Sequence, residues 1–318
     1  MSETDLKVAV YGTGAVGAYF GGRLAQAGVD VSFIARGAHL DAIRANGLQV
    51  TSLAGDFSVE VVATEAPGEI GPVDVVIVGV KAWQLPEVGQ AMAPLLKTDT
   101  AVVPLQNGVE APDVLGRIIG AQHVLGGLCQ IAAQIESPGR IQHVGADPAI
   151  RFGELDNART ARVVALKAAF DAAEGVQAEI PEDIHVALWQ KFMLICPWSG
   201  LGAVTRAPAG PFRTEPRTRA LLTAMLDEIA AVGRASGVAL PEDASAMTLG
   251  YFDGAPTGVT ASMQRDIMEG RPSELDVQSG AVVRLGEALG VPTPVNAFVY
   301  AALLPMERRA RGETEWSI

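Results

Sequence analysis

Two sets of residues in this chain have the type and spacing to do chemistry, one through backbone and one through charge. Gly12, Thr13, Gly14, Ala15, Val16 and Gly17 spell a G-x-G-x-x-G turn between an apolar run at residues 8–11 and a stretch of small residues. A pyrophosphate needs that arrangement for three reasons. The first glycine makes the tight turn, the second lets backbone approach phosphate, and the third lets helix lie against strand. Free N–H groups at the helix start, with the positive end of its dipole, then hold the negative charge. Such a spacing also occurs in ordinary turns. Here a strand precedes it, a helix follows and a second strand arrives at residues 29–35, the context of a dinucleotide site. The other set centres on Lys191, which shares one helical face with Ile184, Leu188 and Ile195. An ammonium in an apolar stripe has two readings. Its stem lies on the core while the head reaches water, or the head points into a cleft between domains and donates protons. Periodicity alone does not choose between them.

The charge after the second strand selects the nucleotide. A site for NAD places Asp or Glu about 20 residues past the glycines, on the ribose hydroxyls. This chain has Arg36 there and no acidic residue between Val31 and Leu40. A guanidinium offers fixed donors and a permanent charge to a 2′-phosphate, so NADP(H) is the expected cofactor. Lys81 and Asn107 each stand just past an apolar strand, where open α/β sheets bind ligands. Alone they read as a solvated side chain and a turn. Sharing one sheet edge with the glycines makes both of them candidates for touching the cofactor.

These residues need a scaffold, and the chain supplies two kinds. Strands are expected at residues 8–11, 29–35, 73–80 and 101–105, with helices at 38–45 and 83–95 between them. This alternation gives a Rossmann-type, doubly wound α/β sheet. A hairpin from 48–50 and 57–63 interrupts it. Short strands at 127–135, 139–144 and 149–153 make part of the sheet antiparallel, and a helix at 159–173 and a strand at 176–180 complete the half. Beyond it the pattern is helical throughout, at 184–195, 215–236, 243–252, 273–289 and 294–309, with loops at 207–211 and 254–258. The expected division is therefore a dinucleotide-binding domain at 1–181 and an all-helical substrate and catalytic domain at 182–318.

Composition sets the outer limits. The 318 residues carry a formal net charge of -12 and are 49% hydrophobic. That balance suits a globular protein and argues against nucleic-acid or anionic-membrane partners, which would repel it. No apolar run is long enough for a membrane helix. The polar opening MSETDLK passes straight into a strand without a leader. Cys129 and Cys196 stand apart, so the reading is a cytoplasmic chain with reduced thiols and no disulfide. Four scattered histidines lack metal-ligand spacing, and no metal is expected. The apolar positions at 297–304 are either core or the face of a homodimer, with core the simpler choice.

Five stretches resemble the ketopantoate reductase (2-dehydropantoate 2-reductase) family across nearly the whole length. They are Gly12 to Gly17 with Arg36-Gly37; Val80-Lys81-Ala82-Trp83-Gln84; Gln106-Asn107-Gly108; Trp189-Gln190-Lys191; and Ser262-Met263 with Asp266-Ile267, leading to Glu274-Leu275-Asp276. Residues 290–296 are similar to the entrance of the family's C-terminal helix. The resemblance implies an NADPH-dependent reductase of a small 2-oxo acid. Lys191 would be the general acid, with Glu274 orienting the cofactor beside it. Asn107 would sit near the nicotinamide ribose and the substrate, and Ser262 would hydrogen-bond the substrate. Arg36 and Lys81 would lie at the adenine-ribose phosphate. From the residues alone, Ser262 passes for a helix cap and Glu274 for a surface carboxylate.

One departure bears on the substrate. The family places asparagines four and eight residues after the lysine, where this chain has Ile195 and Ser199. Isoleucine cannot hydrogen-bond and serine reaches less far than an amide. Ser199 stays a substrate-binding candidate, and either Trp198, Thr205 and Ser262 take over the missing contacts, or the substrate is a less polar branched or aromatic 2-oxo acid. A non-catalytic NADPH sensor is the reading from a different class. The joint presence of Lys191, Asn107, Ser262 and Glu274 speaks against it.

Overall fold

The computed structural model describes residues 6–316, so most of the polar opening segment lies outside the described residues. The first part of the chain runs β1 (Lys7–Tyr11), α1 (Ala15–Gln26), β2 (Asp30–Ile34), α2 (Gly37–Asn46), β3 (Leu48–Ser52), β4 (Phe57–Val59) and β5 (Val62–Thr64). It continues with β6 (Val75–Val78), α3 (Leu85–Ala91), β7 (Ala101–Pro104), α4 (Ala111–Ile119), β8 (Leu125–Ser137), β9 (Arg140–Glu154), α5 (Ala161–Asp171) and β10 (Gln177–Glu179). A parallel sheet of order β5-β2-β1-β6-β7 forms its centre. Successive side chains of a strand face opposite ways, and the two faces feed different cores. Val8, Val10, Val75, Ile77 and Val103 pack with Tyr19, Phe20 and Leu24 of α1. Ala9, Val76, Val78 and Val102 pack with Leu85 and Val88 of α3 and Leu115 of α4. Strands covered on both faces read as unbroken apolar runs, which is why VVIV was legible as a central strand.

The later strands differ from the expectation. They belong to a separate second sheet of order β10-β9-β3-β4, with β8 paired antiparallel to β9. The three short strands expected there are two long ones, of 13 and 15 residues, with bulges at Gln130/Ala132, Ala132/Ala133 and Ile135/Ser137. Each bulge shifts the alternation by one residue and breaks the period in the sequence. The second hairpin arm likewise divides: β4 pairs β3, whereas β5 joins the first sheet beside β2.

The rest of the chain is helical: α6 (Ile184–Thr205), α7 (Ala209–Thr214), α8 (Pro216–Ala235), α9 (Ala244–Gly254), α10 (Ser262–Met268), α11 (Ser279–Leu289) and α12 (Pro294–Ala310). Helix α6 runs ten residues beyond its expected end because Pro197 does not stop it. Proline removes one backbone hydrogen bond. Burial of Phe192, Met193, Cys196 and Leu201, each at most 1% exposed, outweighs that loss. Helix α7 occupies part of the loop expected at 207–211, and α11 begins six residues later than expected. On α12, Val299 and Leu303 are core while Phe298 is exposed. Contacts divide the chain into two units. One holds the chain up to Gln106 with Ala111–Ile184, the other Asn107–Glu110 with the chain from His185 on. Among the described residues no helix is long and apolar enough to cross a membrane.

Candidate active site

Four strands of the first sheet end in register, Tyr11 beside Ile34 and Val78, and Val78 beside Pro104. The chain reverses direction across the sheet between β1 and β6, the switch point at which such sheets bind ligands. Gly12 leaves β1 with φ +96°, and a Cβ there would lie 2.5 Å from Val80 Cγ1. A Cβ on Gly17 would lie 2.3 Å from the Gly12 carbonyl oxygen, and one on Gly79 would approach the same oxygen to 2.8 Å. The turn after β1 and the turn after β6 therefore lock together only because all three residues lack a side chain. Gly14 is different. The nearest atom to a Cβ built there is Gly79 O at 3.8 Å, so the space above it is open. The first N–H to bond within α1 is that of Ala18, to Gly14 O at 2.8 Å. The N–H groups of Ala15, Val16 and Gly17 consequently have no intrahelical acceptor. Open space above Gly14 and unbonded donors beside it fit a phosphate. Thr13 is committed elsewhere, its Oγ1 donating to the Ile34 carbonyl at 2.9 Å and its N–H to the same oxygen at 3.2 Å.

Arg36 stands exposed at the start of α2, just past β2. Its charge reaches Tyr11: burial pushes that phenol above its usual range and Arg36 draws it back. Lys81 is half-buried past β6, with its ammonium 5.8 Å from the centre of the Trp83 ring. Gln106, noticed in the sequence only as the neighbour of Asn107, is 4% exposed. Its Nε2 donates to Val78 O at 2.9 Å and Val80 O at 2.8 Å, holding the turn that abuts Gly12. A single buried glutamine leaves no periodic trace in a sequence, and only its place at a strand end could have signalled this.

In the second unit Asn107 and Glu274 are brought together, Asn107 Nδ2 donating to Glu274 Oε2 at 2.8 Å. Glu274 is 6% exposed, which corrects its reading as a surface carboxylate. The short 107–110 segment is fixed at both ends. Gly108, at φ +100°, comes so close to Val277 that a Cβ would lie 2.7 Å from its carbonyl oxygen. Arg284 bridges Glu110 at 2.8 Å and Asp276 at 2.9 Å.

Helix α6 carries Lys191. The first stripe residues, Ile184 and Leu188, are buried, and further along the same face Lys191, Ile195 and Trp198 are half-buried at helical spacing. No hydrogen bond or ion pair engages the Lys191 ammonium among the described residues. Ser199 shares the helix but not this half-buried strip, being 2% exposed. Trp198 lies 5.1 Å from Phe252, ring centre to ring centre. Its Nε1 has no hydrogen-bond partner among the described residues. Ser262 is exposed at the first position of α10; the cap is Ala261, which corrects the reading of Ser262 as the capping residue. Helix α10 is seated on α6 where Gly202 meets Gln264: a Cβ at Gly202 would lie 2.5 Å from Gln264 Oε1. Cys196, on the same helix, is inert. Burial pushes its thiol up to about 12, so it carries no thiolate chemistry.

Two family models match the chain, "Ketopantoate reductase PanE/ApbA" over residues 8–157 and "Ketopantoate reductase PanE/ApbA C terminal" over 183–307. Among curated relatives, a 2-dehydropantoate 2-reductase of Mesorhizobium japonicum is 33% identical, covering 95% of this chain and 99% of its own. An uncharacterized oxidoreductase of Bacillus subtilis, YkpB, is 31% identical over 94% of this chain and 98% of its own. Among solved structures, a PanE/ApbA family ketopantoate reductase from Ralstonia eutropha superposes with a TM-score of 0.87 at 34% identity. That match covers 96% of this chain and 100% of the other. The two models between them account for both the glycine turn and the lysine helix, and the chain belongs to the ketopantoate reductase family of nicotinamide-dependent oxidoreductases.

Proposed function

We propose that this chain is a cytoplasmic enzyme that reduces a 2-oxo acid to the 2-hydroxy acid with NADPH, acting on 2-dehydropantoate to give pantoate. The bound cofactor supplies the hydride that the carbonyl carbon gains. The residues of the chain do the rest. Backbone N–H groups from Ala15 to Gly17 hold the pyrophosphate, while Gly12 and Gly14 keep the approach clear. Arg36 and Lys81 hold the 2′-phosphate end of the nucleotide. Lys191 Nζ gives its proton to the carbonyl oxygen as negative charge develops there, and its own charge stabilises that oxygen. Asn107, oriented by Glu274, hydrogen-bonds the ribose and substrate, and Ser262 holds the substrate; Ser199, 2% exposed, does not reach it. Glu274 needs no proton of its own for this.

Lys191 carries the reading: a half-buried lysine in the middle of a helix, next to Leu188 and Phe192 at 6% and 1% exposure, with no carboxylate partner among the described residues. Such a placement is costly unless it is used. One observation favours a second substrate. Beyond Lys191 the half-buried residues of α6 are Leu194, Ile195 and Trp198, all apolar towards the surface, with the indole N–H of Trp198 itself buried. A less polar branched or aromatic 2-oxo acid suits those residues better than a hydroxylated one.

Steady-state NADPH oxidation across a panel of 2-oxo acids tests both. Under the first reading 2-dehydropantoate has the highest kcat/KM. Under the second, phenyl- or alkyl-substituted acids exceed it by roughly tenfold or more, and Ile195→Asn narrows the gap. Equal, negligible rates for every acid would remove the enzyme reading. The cofactor preference has its own test. Arg36→Ala is expected to raise KM for NADPH roughly tenfold to a hundredfold, the worth of charge-assisted hydrogen bonds, and to leave KM for NADH unchanged. Equal effects on the two would show that Arg36 does not read the phosphate.

A further inference from the structure

Glu274 presents its carboxylate from a turn that precedes α11, so its direction is set by whatever fixes that turn. What fixes it is α12. Glu307, 4% exposed, takes the Ser273 N–H on its two carboxylate oxygens at 3.0 and 3.1 Å. It also accepts the Ser273 hydroxyl at 2.5 Å. Arg311, one turn along the chain from Glu307, donates from Nε to that carboxylate at 2.6 Å and from Nη2 to the Ser273 carbonyl at 2.9 Å. The Ser273 hydroxyl in turn accepts the Leu275 N–H at 3.2 Å. Every polar atom of Ser273 is thus engaged, in a region where Ser273 itself is 0% exposed. The next residue is Glu274, bonded to Asn107.

We propose that Glu307, charge-balanced by Arg311, is a positioning residue for the reaction: it fixes Ser273, and so aims the Glu274 carboxylate that orients the Asn107 amide. This rests on the reading that Asn107 and Glu274 serve the cofactor and substrate. A carboxylate is required because it must accept the backbone N–H and the hydroxyl together while facing a guanidinium. Glutamine offers a single acceptor oxygen and places an NH2 group against those donors.

The experiment is a double-variant cycle read in NADPH dissociation constants by fluorescence titration, with melting temperatures recorded alongside. Glu307→Gln and Glu274→Ala are each expected to weaken NADPH roughly tenfold, within the range by which contacting residues couple. The double variant should bind as weakly as Glu274→Ala alone, because Glu307 acts through Glu274. A double variant whose losses multiply would mean that Glu307 acts on general stability, and would overturn the proposal. So would a Glu307→Gln protein that binds NADPH like the wild type. Should Glu307→Gln yield no folded protein, Ser273→Ala enters the same cycle, removing the hydroxyl bonds and keeping the amide ones; multiplied losses or none would overturn the proposal there too. If Glu274→Ala alone leaves binding unchanged, the site reading fails, and the positioning proposal fails with it. A loss with Glu274→Ala but none with Glu307→Gln spares the site reading and rejects only the positioning.

Discussion

Lys191→Ala is expected to lower kcat for 2-oxo acid reduction by roughly 10²- to 10⁴-fold, the usual worth of a positioned general acid. NADPH affinity and melting temperature should stay near wild type. The loss has two components that a second substitution separates. Lys191→Arg keeps the positive charge but does not release a proton near neutral pH. It should therefore recover the electrostatic part alone, seen as a kcat between those of Lys191→Ala and the wild type. Removal of the ammonium costs the fold little, since the chain gives it no ion pair or hydrogen bond among the described residues. A Lys191→Ala enzyme turning over within threefold of wild type, with its fold intact, would dismiss the lysine as acid. A variant that lost NADPH binding to the same degree as turnover would instead assign Lys191 to the nucleotide.

The strand, glycine turn and helix on which the nucleotide proposal rests were legible because their signals are local. Gly12, Gly14 and Gly17 stand within one turn, and their spacing between a strand and a helix is itself the signal. The parallel sheet was legible for a related cause: strands buried on both faces need apolar residues at every position, and VVIV satisfies that without regard to partners. The place of Arg36 just past β2 needed only a count from the glycines to the end of the next strand.

What stayed hidden depends on distant partners. Gly79 carries no motif, yet a side chain there would strike both Gly12 and Gly17. Glu274 reads as solvated until Asn107, 167 residues away, is set against it. Serine at 262 suits a cap, but Ala261 takes the position because the side chain of Gln264 accepts its N–H at 3.3 Å. The long hairpin of β8 and β9 was read as fragments since its bulges reset the alternation. The helix expected at 184–195 runs on through Pro197, because the packing of Phe192 to Leu201 outweighs the local cost of the proline. Local chemistry shows in composition and spacing; chemistry assembled over long separations shows only after folding.

Gly14→Ala is expected to weaken NADPH roughly a hundredfold while leaving the protein as stable as wild type. The two effects part company because of what surrounds the site. Gly14 has φ −74° and ψ −175°, extended backbone that alanine adopts freely. Its added methyl would have Gly79 O as nearest neighbour at 3.8 Å, ordinary contact, so nothing in the protein must move. The methyl would instead fill the space that lets phosphate reach the N–H groups of the first turn of α1. Losing charge-assisted hydrogen bonds worth about 1.5–3 kcal/mol each accounts for a loss of that order. Gly17→Ala makes the contrast. Its methyl would lie 2.3 Å from the Gly12 carbonyl oxygen, so α1 must shift from β1. That overpacking should cost about 1–3 kcal/mol of stability as well as the nucleotide. Calorimetric titration with NADPH and a thermal melt on both variants decide the matter. If Gly14→Ala bound NADPH with unchanged affinity, the open space above Gly14 would not be the phosphate site, and the glycine turn would be a packing device alone. If it melted as early as Gly17→Ala, a structural loss would account for the binding defect.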